Sequence, residues 1–209
     1  MRLLIAIPTL DYVISDFMRC LIDLTMKLKD DGVNFDVKIQ SGTLVHMARD
    51  KLARHAVNKG YTHVLWLDSD MIFEPSLLDD LMTCGKDFVT GIAHGRRKPF
   101  GSCLFKQIMP PVRFEEYPKS PFQVAGCGMA VCLIKTSILK SVFLANGTCY
   151  TPMNNIGEDL AFCERARKLG FEIWAEPMVR VGHVGHIAIY PGDEERWKDE
   201  ISNYGEVKS

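Results

Sequence analysis

The chain has 209 residues, 47% of them hydrophobic and 24% charged, and its 25 Lys plus Arg against 26 Asp plus Glu leave a formal net charge of -1. Such values exclude a disordered, collagenous or low-complexity polypeptide, and a chain of this length can bury roughly 70% of the surface its unfolded form exposes, so a single domain of residues 1–209 is expected. The balanced charge gives no basic excess to displace phosphate counterions, so no nucleic-acid groove is expected and any anion must be held locally.

Short apolar runs alternate with segments of helical period through the first half, the pattern of strand-helix-strand units on a parallel sheet. Residues 3–7 read as a strand and 16–29 as a helix, with Phe17, Leu21, Leu24 and Leu28 on one stripe and Gly32 as the stop. Residues 35–39 are a second strand. Residues 45–58 are a second helix, with Leu52, Ala53 and Ala56 inward, Arg49 and Arg54 outward, and Gly60 ending it. The run His63-Val64-Leu65-Trp66-Leu67 predicts a third strand buried on both faces. Pro75 opens a short helix to Met82, since proline suits the first helical position. Residues 87–92 follow as a strand.

Between residues 95 and 121 the pattern breaks into Pro99, Pro110, Pro111, Pro118 and Pro121, predicting a loop-rich insertion or irregular edge strands. Residues 124–134 return as one strand and 136–143 as a helix. Residues 157–169 are a further helix ended by Gly170, and strands follow near 172–175 and 179–181. The polar tail predicts a surface helix over 193–204. The 7 cysteines are dispersed, without a CxxC pair or zinc-like spacing, and read as reduced core thiols of a cytoplasmic protein. The apolar run at 3–7 is too short for a signal peptide or a membrane span, and no later stretch reaches about 18 apolar residues. Asn146-Gly147-Thr148 reads as a turn.

Three groups of residues could carry chemistry. In Leu67-Asp68-Ser69-Asp70-Met71 two acids stand two residues apart at the end of an apolar strand. Strand alternation directs both carboxylates to one side, where parallel sheets place their ligand crevice, and such oxygens suit magnesium or manganese. Glu158-Asp159 opens a helix, where the dipole favours acids and where a fixed carboxylate could serve as a general base. His183 and His186 stand among Gly182 and Gly185, and imidazole is a ligand for manganese or zinc.

Taken with Ala48-Arg49-Asp50, Gly91, Ala125-Gly126-Cys127-Gly128-Met129, Gly157-Glu158-Asp159 with Phe162, and Gly182-His183, these blocks resemble, in their order and spacing, small nucleotide-sugar glycosyltransferases of the glycosyltransferase A fold, similar to family 2 enzymes of bacteria and phages. The resemblance implies an α/β fold with a Rossmann-like, mostly parallel central sheet flanked by helices and a smaller mixed acceptor-side part. Residues 1–92 would form the nucleotide-binding half, 93–190 the acceptor and catalytic half, and 191–209 a tail, with no separate acceptor domain or membrane anchor.

By the same resemblance Pro8, Thr9 and Asp11 would line the base and ribose of the donor, a UDP-sugar foremost, with Arg49 and Ser69 nearby. Asp68 would meet the ribose or the metal, Asp70 would ligate it and His183 would complete its protein ligands, with Mn2+ favoured over Mg2+. Asp159 would be the catalytic base toward an acceptor hydroxyl, with inversion, and Glu158 would position the acceptor. Arg96 or Arg97 would reach the diphosphate; His186 has no assigned role. A dinucleotide fingerprint is excluded, because Gly126 and Gly128 precede a strand and lack the third glycine and following acid. A phosphatase of the haloacid dehalogenase type needs its acid pair after the first strand. A sugar nucleotidyltransferase needs a glycine-rich loop where residues 8–13 hold no glycine. The remaining rival is a non-catalytic nucleotide-sugar binding protein.

Overall fold

The structure, a computed structural model, describes residues 1–96 and 100–185, so the tail helix expected over 193–204, Arg97 and His186 lie outside the described residues. Strand β1 (Arg2–Pro8) is followed by α1 (Ser15–Asp30), β2 (Asn34–Gln40), α2 (Val45–Lys59) and β3 (His63–Leu67), each within two residues of its expected bounds. Leu3 to Ile7 are 0% exposed and alternate between two cores. Leu4 and Ala6 pack with Leu52, Ala53 and Ala56 of α2, whereas Leu3, Ile5 and Ile7 pack with Phe17, Leu21, Leu24 and Leu28 of α1. A strand covered on both faces has to be apolar throughout, which is why periodicity of two is invisible in it. Gly60 ends α2 at φ 71°, the left-handed conformation that a helix stop requires.

Beyond β3 the chain forms β4 (Met71–Ile72), α3 (Leu77–Thr83) and β5 (Phe88–Ile92), then an excursion with β6 (Leu104–Gln107) and β7 (Val112–Arg113). Residues 124–134 are not one strand. They divide among β8 (Phe122–Val124), β9 (Gly126–Cys127) and β10 (Val131–Lys135), which join different partners: β8 pairs with β11 (Ile173–Arg180), β9 with β6, and β10 with β3 and β5. The glycines make the break. A Cβ on Gly126 would lie 3.0 Å from Leu160 and 3.1 Å from Ile108, so any larger residue would have to push these side chains aside where the chain passes between sheets. Helices α4 (Thr136–Asn146) and α5 (Glu158–Lys168) follow, and β12 (Gly182–His183) pairs with β4.

The central sheet has seven strands in the order β2-β1-β3-β10-β5-β11-β8. Five point one way; β10 and β8 oppose them. The excursion after β5 returns at the same end of the sheet, so β10 must run antiparallel to both its neighbours. The two strands expected near 172–175 and 179–181 are a single β11 with a register shift between Ala175 and Arg180. Gly91 accommodates that irregularity, since a Cβ there would stand 2.6 Å from Val179 Cγ1. α3 starts after Ser76 rather than at Pro75, which lies in the preceding turn. All seven cysteines are free thiols, and only Cys84 and Cys103 are partly exposed. No helix among the described residues is long and apolar enough to cross a membrane.

Candidate functional site

Loops at the ends of β1 and β3, neighbours in the sheet, bound a cavity of about 310 Å3. Pro8, Thr9, Asp11, Asp68, Ser69, Asp70 and Arg96 all line it, as do Tyr12, Thr43 and Val45, which the sequence pattern did not single out. The two loops are fastened to each other: Ser69 Oγ donates to Thr9 Oγ1 at 3.1 Å, Thr9 Oγ1 donates to the Tyr12 carbonyl at 2.6 Å, and the Ile14 amide donates to the Ser69 carbonyl at 3.2 Å. Tyr12 is 69% exposed and Leu10 64%, giving the mouth an apolar rim suited to a planar ring.

Arg49 is not among the residues lining this cavity. Expected outward, it is 2% exposed, because it stands on the inward stripe of α2 three and four residues before Leu52 and Ala53. Its Nη2 donates to Asp68 Oδ1 at 2.9 Å. Its Nε lies 3.8 Å from Glu158 Oε1 and 3.7 Å from Asp159 Oδ1, and neither this nitrogen nor Asp159 Oδ1 has a hydrogen-bond partner although both are buried. Three carboxylates thus share one guanidinium. Burial, partly offset by Arg49 and reinforced by Asp159 and Asp70, pushes Asp68 up to about 6. Burial and the adjacent Asp159 push Glu158 up to about 7 against the pull of Arg49.

The two acids expected on one side of a strand have different partners. β3 ends at Leu67, and the Met71 amide donates to the Asp68 carbonyl at 3.3 Å, so a turn replaces the alternation. Asp68 faces Arg49, whereas Asp70 Oδ2 meets Arg96 Nη1 and, at 3.2 Å, His183 Nε2. The antiparallel pairing of His183 with Met71 across β12 and β4 delivers the imidazole to this spot. His183 Nδ1 lies 2.8 Å from the His94 carbonyl and must donate to it, leaving Nε2 of the neutral ring as a lone pair aimed at a carboxylate oxygen. Two lone pairs at that distance demand a proton or a cation between them. Asp70 accordingly raises His183; the Asp70 carboxyl, which burial alone would raise, is held low by His183 and Arg96.

Ligands about 2.1 Å from an octahedral divalent ion stand roughly 3 Å apart, so Asp70 Oδ2 and His183 Nε2 fit two positions of such a shell. Asp68 stands apart from them, and among the described residues no group of three His, Cys, Asp or Glu side chains converges on a metal. An ion held here would therefore draw its other ligands from water or a bound substrate.

Asp159 sits in the first turn of α5, whose cap residue is Gly157. Gly128 lies beside it: a Cβ there would stand in ordinary contact, 3.7 Å from Asp159 Oδ2. Asp50 fixes the approach to the helix, its Oδ1 accepting the Cys149 and Tyr150 amides at 2.9 Å each. A second cavity of about 590 Å3 lies between the β6–β7 hairpin and this turn, lined by Phe105, Arg113, Asn155 and Leu160 among others.

The raised carboxyls make stability depend on pH. A carboxyl that binds its proton more tightly in the folded chain stabilises it at low pH, and that contribution is lost as pH rises from the ordinary value through the folded one. The Tm of the metal-free protein is expected to fall across the window from 4.5 to about 7 set by Glu158. Calorimetric melts of Glu158→Gln should show a flatter fall; an unchanged slope would contradict this assignment.

The sequence matches no protein-family profile and no curated protein. Among solved structures the chain is similar to A197, a viral protein from STIV, with a TM-score of 0.60 at 20% identity over 89% of this chain and 87% of that one. At that identity the likeness concerns the arrangement of elements: a mixed α/β domain whose mostly parallel seven-stranded sheet is flanked by helices.

Proposed function

We propose that this protein is a metal-dependent glycosyltransferase of the glycosyltransferase A fold, moving a sugar from a nucleoside-diphosphate sugar, UDP-linked foremost, to an acceptor hydroxyl with inversion. The observation that carries this reading is the placing of Asp159: its Oδ1 is buried against the same guanidinium that holds Asp68 at the rim of the 310 Å3 cavity, while the side chain as a whole stays 30% exposed. The other oxygen, Oδ2, is then the one that can accept a proton from an incoming hydroxyl.

The division of labour follows from the geometry. Thr9, Ser69 and the exposed ring of Tyr12 bind the nucleoside part in the first cavity. Arg96, which also lines that cavity, would meet the diphosphate. Asp70 and His183 would hold the divalent ion, Mn2+ before Mg2+, which when bound supplies charge neutralisation for the leaving diphosphate. We assign the acceptor to the second cavity, which Gly157 and Leu160 line on either side of Asp159 in sequence, so that its hydroxyl would extend past the cavity edge to Asp159 and attack the anomeric carbon opposite the leaving group. Glu158 stands beside that path at 20% side-chain exposure.

A panel of UDP-, GDP- and TDP-sugars incubated with the protein, with and without Mn2+, tests the reading. Slow Mn2+-dependent release of nucleoside diphosphate is the expected result. Binding without turnover and without metal dependence would replace the enzyme by a nucleotide-sugar binding protein. A product that keeps the donor's anomeric configuration by NMR would overturn inversion.

A further inference from the structure

We propose that Tyr117 and the imidazole of His94 are positioning residues that fix the tautomer and aim of His183 as a ligand for a divalent cation. The inference rests on the cation site assigned above to Asp70 and His183, and adds to it a chain of hydrogen bonds whose directions follow from the chemistry of each partner.

His183 Nδ1 is 2.8 Å from the backbone carbonyl of His94, which can only accept. A proton therefore sits on Nδ1, and Nε2, 3.2 Å from Asp70 Oδ2, shares either a second proton or a cation with that oxygen. The aim of the ligand depends on where the His94 peptide lies. Main-chain bonds from Gly95 to Gly101 and from Cys103 to Ala93 hold that peptide on either side, and its own side chain adds a further tie: His94 Nδ1 is 2.8 Å from the Phe100 carbonyl, again an acceptor only, so His94 too carries its proton on Nδ1. His94 Nε2 must then accept, and the group 2.8 Å from it is the Tyr117 hydroxyl, which donates. Every donor and acceptor along the series Tyr117, His94, His183 is thereby assigned, without a free choice of tautomer at either ring.

Packing does not account for the Tyr117 hydroxyl. The Tyr117 ring is already seated against Phe122 at 6.4 Å between centroids and meets the His94 ring edge-on at 6.1 Å. Phe122 packs in turn on Phe114 at 5.1 Å. The hydroxyl adds direction to a ring that apolar contacts already hold. Groups that orient a metal-binding imidazole through its second nitrogen typically change metal affinity about 10-fold to 100-fold when removed. The series also gives a task to the proline-rich segment after β5: it carries Phe100 and Tyr117 to either end of the His94 ring.

The test uses the full chain without nucleotide. Titration calorimetry with MnCl2 measures cation affinity, and long-range proton–nitrogen NMR spectra of the metal-free chain, at a pH that leaves the ring neutral, report the tautomer of His183. Tyr117→Phe, which keeps the ring, is expected to weaken Mn2+ binding about 10-fold and to convert the His183 signal from the single Nδ1–H form to a mixture, with the metal-free Tm unchanged. His94→Ala should weaken binding about 100-fold, and His94→Gln, which restores an acceptor for Tyr117, should recover part of it. Wild-type affinity or an unchanged His183 tautomer in Tyr117→Phe overturns the inference while leaving the proposed function standing. A wild-type chain that binds no Mn2+ sinks both.

Discussion

Asp159→Asn is expected to lower kcat for sugar transfer by about 100-fold to 10,000-fold, the usual contribution of a general base, while leaving the affinity for the nucleoside diphosphate unchanged. The substitution keeps the shape of the side chain and removes only its ability to take a proton. The affinity survives because Asp159 is not among the residues lining the nucleotide-sized cavity, whereas Asp68 and Asp70 are. Single-turnover transfer rates and calorimetric titration with the diphosphate separate the two effects. Equal losses in both would assign Asp159 to binding, and an unchanged kcat would remove it from the chemistry.

Arg49→Met is expected to destabilise the fold by about 3–5 kcal/mol, the cost of removing one partner from a buried ionic cluster. The magnitude follows from what remains: Asp68, Glu158 and Asp159 would face one another with no cation among them, at a position only 2% exposed. Combining Arg49→Met with Asp68→Asn should recover part of the loss, because one repelling charge leaves with the guanidinium. Arg49→Lys should fall between, since a point charge cannot span carboxylates that the planar guanidinium meets on separate nitrogens. Urea melts check all three; a loss under about 1 kcal/mol for Arg49→Met would show that the carboxylates relax without it.

The elements before residue 93 were readable in the sequence because each obeys one rule locally. α1 shows its stripe at Phe17, Leu21, Leu24 and Leu28, and β3 is apolar throughout because it is covered on both faces. The stretch after Phe122 defeated the same reasoning. Its residues are apolar whichever sheet they join, so hydrophobicity marks burial there without marking the change of partner, and only Gly126 and Gly128 betray it.

The site was legible in its residue types more than in its pairings. Pro8, Thr9, Asp11, Asp68, Ser69 and Asp70 do share one cavity. The partition of Asp68 to Arg49 and of Asp70 to His183 was hidden, because strand alternation was carried past Leu67 into a turn. Arg49 was misplaced outward although its spacing to Leu52, Ala53 and Ala56 already put it on the buried stripe; the error was to let its charge outweigh its position. His94 and Tyr117 carried no sequence signal at all, since their roles depend on backbone carbonyls brought together by the fold.

The reversed strand β10 also decides when this chain can fold. It lies between β3 and β5, pairing Val131 with Leu67 and Cys132 with Thr90, so within the sheet of the described residues β5 and β11 join the β1–β3 side through it. During synthesis the first 92 residues can gather β1, β2 and β3, but β5 stays an unpaired apolar edge until residue 135 has left the ribosome. Contacts this distant along the chain are slow to close and leave strand edges exposed to aggregation meanwhile. The residues on either side of position 92 are for that reason one folding unit, and a split of the chain there separates a sheet from its keystone.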